Sequence, residues 1–211
     1  MGYRVDVPEA TEQDRRSPVK RQAILDAAMA AFLEHGYARV SVDTIAALAG
    51  VGKQTVYSHF GDKERLFLAV VGAARDEREG VDALPRLAGE PRAALAAAVR
   101  AILDIVLAPR IAALHRLTIA ELPHHPELQR MWRDDTDRPS TDTVVADYLR
   151  ECDRTGVLAV PDPELAARQL SFLAVSEGRV ATLQGTQPLP DEERERIAQQ
   201  VADLIARAHR P

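Results

Sequence analysis

Residues 41–63 read SVDTIAALAGVGKQTVYSHFGDK, and this stretch decides the fold. Ser41 caps a short helix, Asp43 suits that helix's positive end, and Val42, Ile45, Ala46 and Ala49 form one buried face. Gly50 stands where a left-handed residue turns the chain sharply. A second short helix is predicted from about Lys53 to Phe60, with Val56 and Phe60 inward at i, i+4 spacing. Gln54, Thr55, Tyr57, Ser58 and His59 are left on or near its outer face. Two short helices joined by a tight glycine turn make a helix-turn-helix, whose second helix enters the DNA major groove. Gln54 suits an adenine edge and Thr55 a thymine methyl or a base hydrogen bond, while Tyr57 and His59 reach phosphates. Ser41, Thr44, Lys53, Ser58 and Lys63 complete the set of candidate DNA-contacting residues.

Outward from this segment the periodicity is helical almost everywhere. Ile24, Ala28, Ala31 and Phe32 recur on one face of a helix over 18–36 that Gly36 closes. Asp62 starts a helix over 62–80, with Leu66, Ala69, Val70 and Ala73 on one side. Leu95, Val99, Ile102, Leu103 and Val106 form a stripe that stops at Pro109; Ile111, Leu114, Leu117 and Thr118 form another before Pro123. Leu128, Met131 and Trp132 begin a helix expected to run, kinked near Pro139, to Cys152 and Gly156. Two more helices follow, one carrying Leu170, Leu173, Ala174, Val180 and Ala181, the last over 190–208 carrying Ile197, Val201, Leu204 and Ile205. No useful length alternates apolar and polar residues, and no period of 20–50 residues marks a repeat array. The predicted class is all-α: an N-terminal three-helix helix-turn-helix domain followed by a helical regulatory and dimerisation domain. The expected boundaries are a flexible arm over 1–16, a DNA-binding domain over 17–64 and the second domain over 65–211, the helix from Asp62 joining the two.

Composition agrees. With 46% hydrophobic and 28% charged residues among 211, the chain has apolar surface enough for a core. Cys152 is the only cysteine, which excludes an internal disulfide and a cysteine-rich zinc module. No apolar run is long enough to span a membrane, and the first eighteen residues have no apolar centre, so a cytoplasmic location is expected. The net charge of −5 hides an asymmetry. Residues 15–65 hold eight basic against five acidic residues and all three lysines, Lys20, Lys53 and Lys63. A basic section on an acidic body suits an anionic partner at one end.

The run VDTIAALAGVGKQTVYSHFGDKERLF, preceded by ILDAAMAAFLEHGYARVS, resembles the tetracycline-repressor (TetR) family of bacterial transcriptional regulators over about residues 17–67. Tyr57, Phe60 and Lys63 hold the family's signature positions. The resemblance implies backbone contacts from Tyr57 and His59 and a phosphate contact from Lys63, which physics also favours at a helix N-terminus. Gly52 and Gln54 depart from the family's usual serine and glycine. Gly52 forgoes a capping hydroxyl, and Gln54 adds a base-reading side chain that is expected to contribute to operator choice. Residues from about Leu117 to Gly185 resemble the C-terminal domain of the AefR-like branch.

The family's design implies a homodimer, a double-stranded DNA operator and a small-molecule effector that weakens operator binding. The interface is expected at Leu170, Leu173, Val180, Ile197, Val201 and Leu204, the alternative being that these stripes pack within one subunit. Trp132 suits either core packing or, with Leu103, Leu107, Leu117 and Phe172, an apolar ligand cavity. Repression, with an apolar or aromatic effector, is the leading expectation.

Other constellations fail. GVGKQT lacks the first glycine of a phosphate loop, which Ala47 replaces, and has Gln54 where Ser or Thr must follow the lysine. Gly50 and Gly52 lack a third glycine at Thr55. His124 and His125, with His115 nearby, have no zinc-like spacing and are expected to be exposed. Ser140, Ser171 and Ser176 lie outside any nucleophile elbow. DEERER at 191–196 suits the solvated first turn of the last helix. No catalytic residue, metal or cofactor is implied. The competing readings are a helical enzyme or small-molecule carrier with a non-functional helix-turn-helix, and an adaptor that dimerises through its terminal helices without binding DNA.

Overall fold

The structure, a computed structural model, describes residues 12–78, 84–133 and 141–211, with the side chains of 18–74, 84–131 and 141–211. Every regular element among them is helical: α1 (Glu12–His35), α2 (Val42–Leu48), α3 (Lys53–Phe60), α4 (Lys63–Arg78), α5 (Pro91–Leu107), α6 (Pro109–Glu121), α7 (Pro126–Arg133), α8 (Thr141–Arg154), α9 (Pro163–Ala181) and α10 (Asp191–Ala208). The chain divides into two compact units, Met1–Gly72 and Ala73–Pro211, with the division inside α4 rather than at residue 64. α1 starts at Glu12, so residues 12–16 are helical where an arm was expected; residues 1–11 of that arm lie outside the described residues. Pro18 does not set the start, because its fixed φ is helical and the helix continues past one missing N–H.

In the first unit α1 packs on α2, and α2 on α3. Ile24, Ala28 and Phe32 of α1, Ile45 of α2, Val56 and Phe60 of α3, and Leu66 and Phe67 of α4 are buried. An aromatic cluster anchors them. Phe32 meets Phe67 edge-on at 5.4 Å between ring centres, and Tyr37 lies 5.6 Å from Phe32 and 4.9 Å from Phe67. Such contacts each add about 0.5–1.5 kcal/mol beyond the area they bury.

In the second unit α5 is the central helix, packed against α9 and α10, with α8 against α9. Leu95, Val99 and Leu103 of α5, Val145 and Leu149 of α8, Leu170 and Ala174 of α9, and Ile197, Val201 and Ile205 of α10 share one core. Ion pairs tie α5 to α10: Arg92 with Asp203, Arg100 with Glu195 at 2.9 Å, and Arg194 with Asp104. Of the helix expected from Leu128 to Cys152, the described residues give α7 and α8; the stretch between them, with Pro139 and the expected kink, lies outside the described residues. α9 crosses α5 at Gly178, where a side chain would strike Leu103 and Leu107. Beyond α9 three successive residues, Leu183, Gln184 and Gly185, take φ of 48, 62 and 74°. Arg116 of α6 donates to the carbonyls of Gln184 and Gly185, each at 3.0 Å, and holds that turn.

Candidate nucleic-acid interface

Local chemistry builds α2 and α3 as the sequence predicts. The Ser41 hydroxyl accepts from the Thr44 amide at 3.1 Å, capping α2. At its far end Gly50 takes φ 65°; its N–H donates to Ala47 O at 3.2 Å, and Val51 N–H donates to Ala46 O at 3.0 Å. That pair of reversed bonds is a Schellman closure, which satisfies two terminal carbonyls and fixes the direction in which the chain leaves α2. Gly52 then occupies the N-cap of α3 in extended geometry with no side-chain bond, as its lack of a hydroxyl requires. Val56 and Phe60 turn α3's apolar side inward. α3 ends at Gly61 (φ 83°), and Asp62 caps α4 by accepting from Arg65 N–H at 2.7 Å.

The predicted DNA-facing residues all keep some access to solvent. Ser41, Thr44, Lys53, Gln54, Tyr57 and Ser58 are exposed; Thr55, His59 and Lys63 are half-buried. Ser58 donates to Thr55 O at 2.9 Å, a bond within α3 that leaves its hydroxyl able to accept. Ser41 and Thr44 share a hydroxyl–hydroxyl bond at 2.8 Å. Two partners were missed in sequence. Lys53 Nζ donates to Asp43 Oδ2 at 2.9 Å, an ion pair across the turn that raises the lysine's pKa, first through the hydrogen bond and then through the carboxylate's charge. Lys63 Nζ lies 4.3 Å from the centre of the Tyr37 ring and donates to Ala38 O at 3.4 Å. Asp43 carries a visible signal, an acid in the first turn of α2; Tyr37 carries none, standing far upstream in a loop.

The other predicted sites fare less evenly. Leu103 and Leu107 meet beside Gly178, Leu103 fully buried and Leu107 half-buried, while Leu117 is half-buried on α6. The Trp132 side chain lies outside the described residues. Phe172 is 72% exposed, on the side of α9 away from the core, so it lines no cavity within this subunit. Leu170, Ile197 and Val201 belong to the subunit's own core, with Leu170 0% exposed; the side of α9 that carries Leu170 packs on α5 and α8, and α10 packs on α5 and α9. Leu173 is half-buried against the same core, whereas Val180 and Leu204 are exposed.

His125 also corrects an expectation. It is buried, its Nε2 3.5 Å from Glu121 Oε2, while His124 is exposed. Among the described residues no group of three or more His, Cys, Asp or Glu is placed to hold a metal ion, and no helix is long and apolar enough to cross a membrane.

Comparison with known proteins agrees with this geometry. Residues 24–70 match the N-terminal domain of bacterial regulatory proteins of the tetR family, and residues 93–211 match the C-terminal domain of AefR-like transcriptional repressors. A crystal structure assigned to the TetR regulators, from Mesorhizobium loti, is 30% identical with a TM-score of 0.78, covering 93% of this chain and 99% of that one. The flavonoid-responsive regulator FrrA is 28% identical with a TM-score of 0.73, covering 92% and 98%. The transcriptional activator FasR of Mycolicibacterium smegmatis is 38% identical over 88 residues, 41% of this chain and 40% of FasR. The matches to curated relatives span only between 25% and 41% of those proteins' own lengths. A capped helix pair with a polar outer face, on a chain matched by both domains of one family, leads to a single assignment: the protein belongs to the TetR family of DNA-binding transcriptional regulators, which are not enzymes.

Proposed function

We propose that the protein is a homodimeric repressor that leaves a palindromic operator when a small apolar or aromatic effector binds its second unit. The observation that carries the reading is the two-sidedness of α3. Val56 and Phe60 fix it to the core while Lys53, Gln54, Tyr57 and Ser58 stand in water. Such a helix presents hydrogen-bonding groups to base edges and phosphates without rearrangement. Dimerisation is supported by apolar side chains left uncovered on the last two helices: Phe172 and Val180 on α9, 72% and 69% exposed, and Leu204 on α10. A second copy is the occupant that buries all of them symmetrically. An apolar or aromatic effector is supported by the likeness to FrrA, a regulator that responds to flavonoids.

The test is a gel shift on the DNA flanking the protein's own gene, repeated at rising salt. Binding that weakens steeply with salt, is lost in Tyr57→Ala, and is released by a flavonoid or related aromatic compound supports the proposal. Absence of any sequence preference overturns it.

A further inference from the structure

The loop between α1 and α2 is pinned on both sides of one exposed arginine. Gly36 closes α1 with φ 78°, its N–H donating to Phe32 O at 2.9 Å. Tyr37 is wedged against Phe32 and Phe67, and Val40 is buried. Ala38 and Arg39, between those two anchors, stand in water. Arg39 Nε donates to His35 O at 2.8 Å, the carbonyl of the last residue of α1. That bond caps the helix, whose final carbonyls lack partners within it and whose C-terminus favours a cation. It occupies one edge of the guanidinium and leaves the Nη edge unused. Among the described residues no carboxylate pairs with Arg39 and no second acceptor meets it. Exposed arginines of the second unit differ: Arg150, Arg154 and Arg207 each hold a carboxylate.

The same loop seats a cation already read as a phosphate contact. Lys63 Nζ donates to Ala38 O at 3.4 Å and lies over the Tyr37 ring, so it is carried by the two residues that precede Arg39. We propose that Arg39 is a further phosphate-contacting residue of the DNA-binding surface, its Nη edge taking a backbone phosphate of the duplex. The proposal rests on reading α2, α3 and Lys63 as that surface. A guanidinium held at Nε and open at Nη has the planar fork that matches two phosphate oxygens. The bond to His35 O orients that fork before DNA arrives, which lowers the entropy lost on binding. A phosphate contact carries no sequence information, so Arg39 strengthens matched and unmatched duplexes alike.

The experiment measures the affinity of full-length protein for two duplexes of equal length, one selected from a random pool by the unaltered protein and one of scrambled sequence, from about 50 to 200 mM salt. Arg39→Gln is the decisive variant. The glutamine amide nitrogen stands where Nε does along the side chain, so the bond to His35 O is kept while the charge and the fork are lost. Both duplexes are expected to weaken by the same factor, with their affinity ratio and the melting temperature unchanged. The salt slope becomes shallower by about 0.9 per bound subunit, so the loss at 50 mM exceeds that at 200 mM by about 3.5-fold per subunit. Arg39→Lys, which keeps the charge, retains the slope.

Arg86→Gln removes the same charge from an exposed arginine of the second unit and leaves the slope unmoved. The proposal is overturned if Arg39→Gln binds as the unaltered protein does at every salt concentration, as a purely capping role requires. A loss confined to the selected duplex, a loss with unchanged slope, or one that comes with a lower melting temperature overturns it too, as does its reproduction by Arg86→Gln. Tyr57→Ala separates the two levels of failure. If that variant also binds both duplexes unchanged, the reading of the surface itself falls; if it loses binding while Arg39→Gln is silent, only the role of Arg39 does.

Discussion

The ammonium of Lys63 sits 4.3 Å above the ring of Tyr37, so the first residue of α4 is held by an aromatic face from the loop after α1. That ring is itself wedged against Phe32 and Phe67. The lysine of the proposed DNA-binding surface is thus positioned by the hydrophobic core. Lys63→Met keeps the aliphatic stem over the ring and removes the charge. Affinity for all duplexes should fall together, with the salt slope shallower by about 0.9 per bound subunit. Tyr37→Ala should cost about 2 kcal/mol or more of stability through the lost ring packing, and should weaken DNA binding as well. Chemical denaturation and titration of labelled duplex read the two effects separately.

Phe172 offers the sharpest test of self-association. Phe172→Arg places a charge on an exposed side chain that touches no core, so the folded subunit should melt within about 0.5 kcal/mol of the unaltered protein. Sedimentation velocity should nevertheless show a shift to monomer. A dimer that survives the substitution unchanged would move the interface elsewhere.

Gly185 combines two constraints. Its φ of 74° disfavours any side chain, and a Cβ there would stand 2.5 Å from Ala112 Cβ. Left-handed strain of about 1–2 kcal/mol adds to overpacking of about 1–3 kcal/mol. Gly185→Ala should therefore lower the denaturation midpoint markedly.

Gly52 points the other way. Its backbone already has N-cap geometry (φ −71°, ψ 147°), and a Cβ would meet nothing nearer than Thr55 Oγ1 at 3.9 Å. Gly52→Ser should stabilise by a few tenths of a kcal/mol, about 1 °C in melting temperature, because the serine hydroxyl takes up a free amide of α3.

Acid should loosen the second unit first along the α5–α10 seam. Asp203 is held below its ordinary value of 3.8, chiefly by the hydrogen bond from Arg92 and then by that residue's charge; Glu195 is lowered by Gln199 and by Arg100. Groups whose folded pKa is depressed contribute stability above their unfolded values, and lose it as pH falls through the folded ones. Thermal melts should be flat with pH above about 5 and decline below 4, and the decline should shrink in Arg92→Ala and in high salt. Both side chains are exposed enough for salt to screen them.

The caps and turns were legible because their causes are local. Ser41, Gly50 and Asp62 each act within four residues of themselves, and each takes the role its chemistry dictates. Val56 and Phe60 against Gln54 and Tyr57 follow from helical period alone. What escaped depends on where distant segments meet. A stripe on α9 contains both Leu170 and Phe172, and nothing local says that α5 and α8 cover the first and leave the second. Lys53 reads as a free cation until the turn folds Asp43 beside it.

The burial of Val56 and Phe60 has an evolutionary corollary. Each residue of an α-helix advances about 100° around its axis. Inserting or deleting one position between Gln54 and Val56, inside α3, would therefore swing Gln54 by about that angle relative to the two anchors, whatever its identity. The anchors give α3 a fixed phase, so on the proposed reading new operator preferences are reachable by exchanging letters on its outer face and not by changing the spacing within it.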